Sequence, residues 1–360
     1  MTPPTRLYLD HAATTPVLPE AQAAVAQALE AWANPSSPHA DGRRARAAFE
    51  QARRMIADEL GWRHDVILTS GASEAVQIVA ARAKAERRFV GATEHEAVIA
   101  AMGDKATVVP VDTNGVIDLA TLEEMLSGSP ALVAVQLVNN ETGVIQPIER
   151  IQEMVGAAGS LLLADCAQAA GKIDLPDADF LAVSAHKLGG PPGVGALLAR
   201  DLATLEPSGG QERGYRRGTE NLPAVAGMAA ALGTRAFAEA IPRLALLRDR
   251  LEQDIVGFGG IVIAADAPRI ATIGAYSMPG VASASQLVQL DLAGISVSAG
   301  SACSSGSMKP SRVLAAMGVP ADVAASAIRV SFGPSTSDTD IERFTAEWRR
   351  IAARAKAEAA

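Results

Sequence analysis

The sequence predicts an α/β fold, a mostly parallel sheet flanked by helices and followed by a smaller C-terminal α/β unit. Three observations carry this. Short runs rich in Val and Leu alternate with amphipathic stretches between residues 65 and 199. Strands buried on both faces of a parallel sheet show such apolar runs, and the crossovers between them supply the helices. The alternation breaks at the Gly-containing stretch 208–218, and two long helical patterns follow. Strand and helix patterns then resume on a shorter scale from about residue 257.

Amphipathic spacing predicts helices over 19–33 and 41–61, then a strand over 65–69 running into Ser70-Gly71-Ala72-Ser73. A helix is expected over 74–88, strands over 89–92 and 107–111, and a helix over 118–127. The run 131–138 reads as a central strand, and 147–158 as a helix with Pro147 in its first turn, where a missing N–H costs nothing. Three more short strands, 160–164, 180–184 and 194–199, bring the first sheet to seven. Helices over 223–240 and 243–256 bridge to strands over 260–264 and 271–278 and a helix over 283–293. A strand over 295–298 leads into the small-residue loop 299–310; a helix near 311–317, a strand over 328–332 and a final helix from about 337 complete the chain. The expected division is a large unit of residues 16–256 and a small unit made of 1–15 and 257–360.

The 360 residues are 49% hydrophobic and 20% charged, enough to bury a large core without staples and too apolar for disorder. A net charge of −8 lacks the footprint of a nucleic-acid or anionic-membrane binder. Two cysteines, Cys166 and Cys303, make neither a disulfide framework nor a four-Cys metal site. With no leader-like start and no apolar run long enough to span a bilayer, the expected location is the cytoplasm.

Several strand ends carry residues with chemistry to offer. Lys187, in Ser184-Ala185-His186-Lys187, follows a strand and precedes a Gly/Pro-rich loop, where ligands of open α/β sheets sit. A lysine there can form a Schiff base with an aldehyde cofactor, or be an ordinary surface lysine. Asp165 closes the strand Leu161-Leu162-Leu163-Ala164. It can face a protonated pyridine nitrogen or cap the next helix. Ser70-Gly71-Ala72-Ser73-Glu74 opens a helix and can hold a phosphate on free N–H groups, or be a plain N-cap. Cys303 lies in a loop of small residues and can be a travelling nucleophile, whereas Cys166 at a strand end suits packing. His95 follows a strand and can stack on a ring or relay protons; its neighbours Glu94 and Glu96 cannot converge with it on one metal ion. Arg329 in an apolar strand calls for a carboxylate, a substrate's or the protein's own.

The chain resembles the cysteine desulfurases, pyridoxal 5'-phosphate (PLP) enzymes of fold type I in the class V aminotransferase group. The stretches that carry the resemblance begin with Tyr8-Leu9-Asp10-His11-Ala12-Ala13-Thr14-Thr15-Pro16 and Asn34-Pro35-Ser36-Ser37-Pro38-His39. They continue through Thr69 to Glu74, Thr93-Glu94-His95, Val138-Asn139-Asn140-Glu141-Thr142-Gly143, Ala164-Asp165-Cys166-Ala167-Gln168 and Ser184 to Lys187. Gln211-Glu212-Arg213-Gly214, Arg217-Gly218-Thr219-Glu220-Asn221, Ser298-Ala299-Gly300-Ser301-Ala302-Cys303 and Ile328-Arg329 complete the set, in family order. The Cys303 loop is similar to the longer-loop subgroup that serves iron–sulfur cluster and nitrogenase assembly.

The resemblance implies a fold-type I transferase converting L-cysteine to L-alanine, with the sulfur captured as a persulfide on Cys303. Lys187 would hold the cofactor, Asp165 pair with its ring nitrogen, Gln168 bond its ring hydroxyl and His95 stack on the ring. Ala72, Ser73, Ser184 and His186 would line the phosphate cup, with Thr219 reaching in from a second subunit of a homodimer. Asn140 and Arg329 would hold the substrate carboxylate, with Asn34 near the substrate end. No resident metal is implied, although Cys303 would be a transient ligand for an iron–sulfur cluster. The implied partners are L-cysteine and a sulfur-acceptor protein, an iron–sulfur scaffold or sulfur carrier, with no nucleic acid and no membrane. A selenocysteine lyase or related PLP-dependent β-lyase or aminotransferase is the neighbouring alternative, and a non-catalytic sulfur-carrier or assembly protein on the same fold the distant one. Two departures stand out: Ser73 occupies a position often held by Thr, and Ser311-Arg312-Val313-Leu314 replaces a more usual His or Tyr second residue.

Overall fold

A computed structural model describes residues 6–30, 32–300 and 310–359. The expectation on Cys303 lies outside the described residues.

The chain opens with β1 (Leu7–Tyr8), α1 (Pro19–Glu30) and α2 (Ala40–Glu59). Then come β2 (Asp65–Thr69), α3 (Ala72–Arg82), β3 (Arg87–Gly91), α4 (Glu96–Met102), β4 (Thr107–Val109) and α5 (Leu119–Leu126). β5 (Ala131–Gln136), α6 (Ile148–Ala157), β6 (Leu161–Asp165), β7 (Phe180–Ser184) and β8 (Gly195–Ala199) complete the first sheet. Its order is β2-β8-β7-β6-β5-β3-β4. β4, β3, β5, β6 and β7 run parallel, whereas β8 is antiparallel to both β7 and β2. The expected seven-stranded, mostly parallel sheet is present.

The alternating direction of strand side chains builds two cores from one apolar run. Ala196 and Leu198 of β8, with Val133 and Val135 of β5, face a cluster that includes Phe49 and Ile56 of α2 and Ile151 of α6. Leu197 and Ala199, with Leu132 and Ala134, face Val76 and Val79 of α3 and Val98 of α4.

α7 (Leu222–Gly233) and α8 (Ala236–Gly257) lead to a second unit. There, β9 (Ile261–Val262), β10 (Ile273–Ser277) and β12 (Ala327–Ser331) form an antiparallel sheet in the order β12-β10-β9. α9 (Ser283–Leu292), β11 (Ile295–Ser296), α10 (Arg312–Ala316) and α11 (Ala321–Ala325) lie between β10 and β12 in sequence, and α12 (Asp338–Ala359) follows. Leu244 and Leu251 of α8, Phe344 and Trp348 of α12, Tyr276 of β10 and Ile328 of β12 share one cluster. The N-terminal segment joins this unit: β1 pairs with β11, and Asp10 bridges to Ser331.

Three element expectations need correction. The helix expected over 74–88 stops at Arg82, although the following residues are good helix formers. Pairing of β3 with β5 takes over from Arg87, whose guanidinium donates to the carbonyls of Met125 and Ser129. The break expected between 240 and 243 falls instead at Thr234–Arg235. Arg235 turns left-handed at φ 53°, the Thr234 hydroxyl accepts the Ala236 N–H, and Pro242 is absorbed inside α8. Finally, α4 and α11 were not foreseen, and β9 and β11 are only two residues long. No single helix among the described residues is long and apolar enough to cross a membrane; the apolar pair α7 and α8 is bent by 49°.

Candidate active site

The carboxyl ends of β5, β6 and β7 open into a cavity of about 430 Å³, where the crevice rule for open α/β sheets places a ligand. Its wall includes Ala72, Ser73, His95, Asn140, Asp165, Gln168, Ser184, His186, Lys187 and Arg329. One space thus gathers most of the residues expected from sequence. Asn34 does not line it: it is exposed, and its carboxamide oxygen accepts the Ser36 N–H in a local turn. Thr219 is exposed and lies off the cavity of its own chain.

At one end stands the N-terminus of α3. Gly71 occupies its N-cap position and supplies no side-chain hydrogen bond, so the first-turn N–H groups and the exposed Ser73 hydroxyl face an anion-favouring helix end. The backbone there is packed tightly. A Cβ on Gly195 would meet the Val183 carbonyl oxygen at 2.3 Å and the Gly71 Cα at 2.6 Å, and Gly71 itself sits at φ 154°. Glu74 fastens this turn from below, accepting the Ser70 N–H and pairing with Arg216 at 3.0 Å.

Asp165 ends β6 facing the cavity. Its Oδ1 accepts the Ala167 N–H at 2.9 Å, and among the described residues it forms no ion pair. Burial pushes its carboxyl above the usual range despite His95 and Lys187 nearby. A carboxylate in that position calls for an external cation. Lys187 lies just past β7, and its Nζ donates to the carbonyls of Ala12 and Ala13 at 2.6 and 2.8 Å. Ala12 also accepts the Gln168 carboxamide N–H at 2.9 Å.

His95 caps α4: its Nδ1 accepts the Ala97 N–H at 3.2 Å, which leaves the proton of the neutral ring on Nε2. Burial holds its pKa below the usual value. His186 contacts the Thr14 hydroxyl at 3.2 Å through Nδ1 and is lowered to about 4, first by burial and then by Lys187.

Arg329 answers its open question with the protein's own carboxylate. It is buried, pairs with Asp10 at 2.8 Å and donates to the Asn140 carbonyl at 2.9 Å. Its Nε is buried without a partner, so the guanidinium still has a donor to offer. Asp10 and the Ala12 and Ala13 carbonyls are site features that motif reading left without a role. Nothing in their residue types announces them, because they act through backbone oxygens or a partner 319 positions away.

The residues fit PLP. An uncapped helix end suits its phosphate, a carboxylate with no ion pair among the described residues suits its ring nitrogen, and a lysine lines the same cavity. The comparisons agree. The model of the aminotransferase class-V family matches residues 7–344. A cysteine desulfurase of Cereibacter sphaeroides is 37% identical, the match spanning 94% of each chain. An IscS-like cysteine desulfurase of Mycobacterium tuberculosis is 38% identical over 93% of each. A solved NifS-like protein from Rickettsia africae superposes with a TM-score of 0.88 at 29% identity, covering 96% of this chain and 99% of that one. The chain belongs to the class-V aminotransferase family, whose members are PLP-dependent enzymes.

Proposed function

We propose that the protein is a cysteine desulfurase that converts L-cysteine to L-alanine and keeps the sulfur as a persulfide on Cys303. The observation that carries this reading is the convergence of Lys187, Asp165, His95 and Arg329 on one cavity at the strand ends.

When bound, PLP supplies an aldehyde for an amine and a ring that accepts the electron pair left at the substrate Cα. Lys187 would hold it, and its amine would take the Cα proton. Asp165 keeps the ring nitrogen protonated, and Gln168 bonds the ring hydroxyl. Ala72, Ser73, Ser184 and His186 form the phosphate cup, completed by Thr219 of a second subunit in a homodimer. Arg329 and Asn140 take the substrate carboxylate; Asn34 belongs to the outer substrate end. His95, with its proton on Nε2, would relay a proton on the substrate side, taking one up as it gives one. At Cys303 an S–S bond forms while the substrate C–S bond breaks, and the proton lost by the Cys303 thiol balances the one gained at the alanine Cβ.

The chain divides into 16–256 and 1–15 with 257–360, supported by the separate apolar clusters of the two sheets, with α8 as the connector whose apolar face lies on the second cluster. We place the enzyme in the cytoplasm, handing sulfur to a scaffold or carrier protein. Sedimentation separates the homodimer from a monomer.

Incubation with L-cysteine and a thiol reductant is expected to release sulfide and alanine in equal amounts. Lys187→Ala abolishes turnover, and Cys303→Ala abolishes persulfide transfer while PLP stays bound. Pyruvate and ammonia in place of alanine, or undiminished sulfide from Cys303→Ala, would overturn the reading.

A further inference from the structure

Behind the cavity wall lies a second lysine. Lys172 sits in the turn after β6, 5% exposed, with its backbone N–H bonded to the Ala169 carbonyl. Its Nζ donates to the Gln168 Oε1 at 3.4 Å and lies 5.0 Å from the centre of the Phe237 ring. Among the described residues it forms no ion pair with a carboxylate. A buried ammonium held by an amide oxygen and a ring face is costly unless an anion arrives.

Its contacts determine how Gln168 stands. Because an ammonium only donates, Gln168 must present Oε1 to Lys172, and its NH2 group then turns to the Ala12 carbonyl, which also accepts Lys187. We propose that Lys172 is a positioning residue of the cofactor site: it locks the Gln168 carboxamide with its NH2 toward the cavity and supplies the positive charge that a cofactor ring oxyanion needs. The inference rests on the reading that PLP fills the cavity.

The electrostatics agree. Burial, and then Lys187, depress the Lys172 ammonium to about 7. The other titratable groups that feel it, His11 and His186, are also cations when protonated. Asp58, Glu59 and Asp174 line a groove with Lys172, but among the described residues none of them forms an ion pair with it, so the balancing charge is left to the ligand. An anionic cofactor restores the Lys172 charge, and that charge in turn favours the more anionic state of the bound cofactor.

The test is the visible absorption band of the PLP-loaded protein followed against pH. Appearance of that band in the wild type checks the PLP reading by itself. Removing the cation in Lys172→Met is expected to raise the midpoint of the band's pH transition by about one unit, a roughly tenfold change in proton affinity, and to weaken PLP retention on dialysis. Lys172→Arg keeps the wild-type midpoint. In a Gln168→Ala background, Lys172→Met moves the midpoint less than in the wild type. Should Lys172→Met not accumulate folded, Lys172→Gln gives the same reading. Wild-type midpoints in the neutral variants, with unchanged PLP retention, would overturn the proposal.

Discussion

His95 accepts a backbone N–H at Nδ1, so the hydrogen bond that starts α4 also chooses the tautomer of the imidazole facing the cavity. Its neutral form carries on Nε2 the proton it relays, and burial preserves that form into mildly acidic solution. His95→Ala is expected to lower kcat by about 10²–10⁴-fold while leaving the PLP band in place. The acid limb of the wild-type rate profile that reports His95 lies below pH 6.5; a limb at or above that value would contradict the assignment. At this scale the sequence was informative where chemistry follows from residue type and strand-end position, as for Lys187 and Asp165. It was silent on Asp10 and Lys172. A carboxylate that neutralises Arg329 and a lysine that orients a glutamine are defined by neighbours distant in the chain or folded back upon it.

Among the elements, α2 shows how a helix can hold a loop. Arg53 on α2 donates to both oxygens of Glu212 at 2.6 and 2.8 Å, and Glu212 in turn accepts the Leu68 N–H of β2 at 2.7 Å. Glu212 is 4% exposed and sits at φ 49°, as does its neighbour Arg213 at 57°. Left-handed backbone at two non-glycine residues is unfavourable and persists only when neighbours enforce it. The ion pair is that enforcement for the segment carrying Thr219. Arg53→Ala strands a buried carboxylate and is expected to cost about 3–5 kcal/mol, read as a lower denaturant midpoint. Arg53→Leu combined with Glu212→Leu should recover much of that loss; no recovery would assign the cost to packing on Phe49 instead. Elements as regular as β5 were legible because both faces are buried and every residue is apolar except Gln136. α4 was not, since its cap is a histidine rather than Ser, Thr, Asp or Asn, and the two-residue strands exist only through their pairing partners.

For the molecule as a whole, buried imidazoles contribute a destabilising response to acid. His11 is 6% exposed, and burial lowers its pKa from 6.5 to about 4 in the folded chain. His186 is lowered to a similar value but is more exposed, so its contribution is smaller. Between those values the unfolded chain binds protons that the folded chain refuses. The His11 contribution to stability therefore declines as pH falls from 6.5 toward 4, by about 3 kcal/mol, and is opposed by Glu94, Glu141 and Asp165, whose carboxyls burial raises in the folded chain. Urea midpoints of the wild type and of His11→Asn across that window isolate this contribution, the wild type losing more on acidification; parallel profiles would refute the account. The two-sheet organisation was legible from the change of pattern near residue 210. Residues 1–15 were expected with the second unit, but the pairings that attach them, β1 on β11 and Asp10 on Ser331, could not be read.

That attachment governs how the protein must be made. The cavity needs the Ala12 and Ala13 carbonyls, and the segment carrying them is fastened by the Ser331 hydroxyl and by Asp10 on Arg329. On a ribosome, the first dozen residues emerge long before the strand that receives them. A nascent chain with the seven strands of the first sheet still lacks β12, and it cannot close its catalytic pocket until that strand has been made. Durable capture of the cofactor accordingly follows the synthesis of β12.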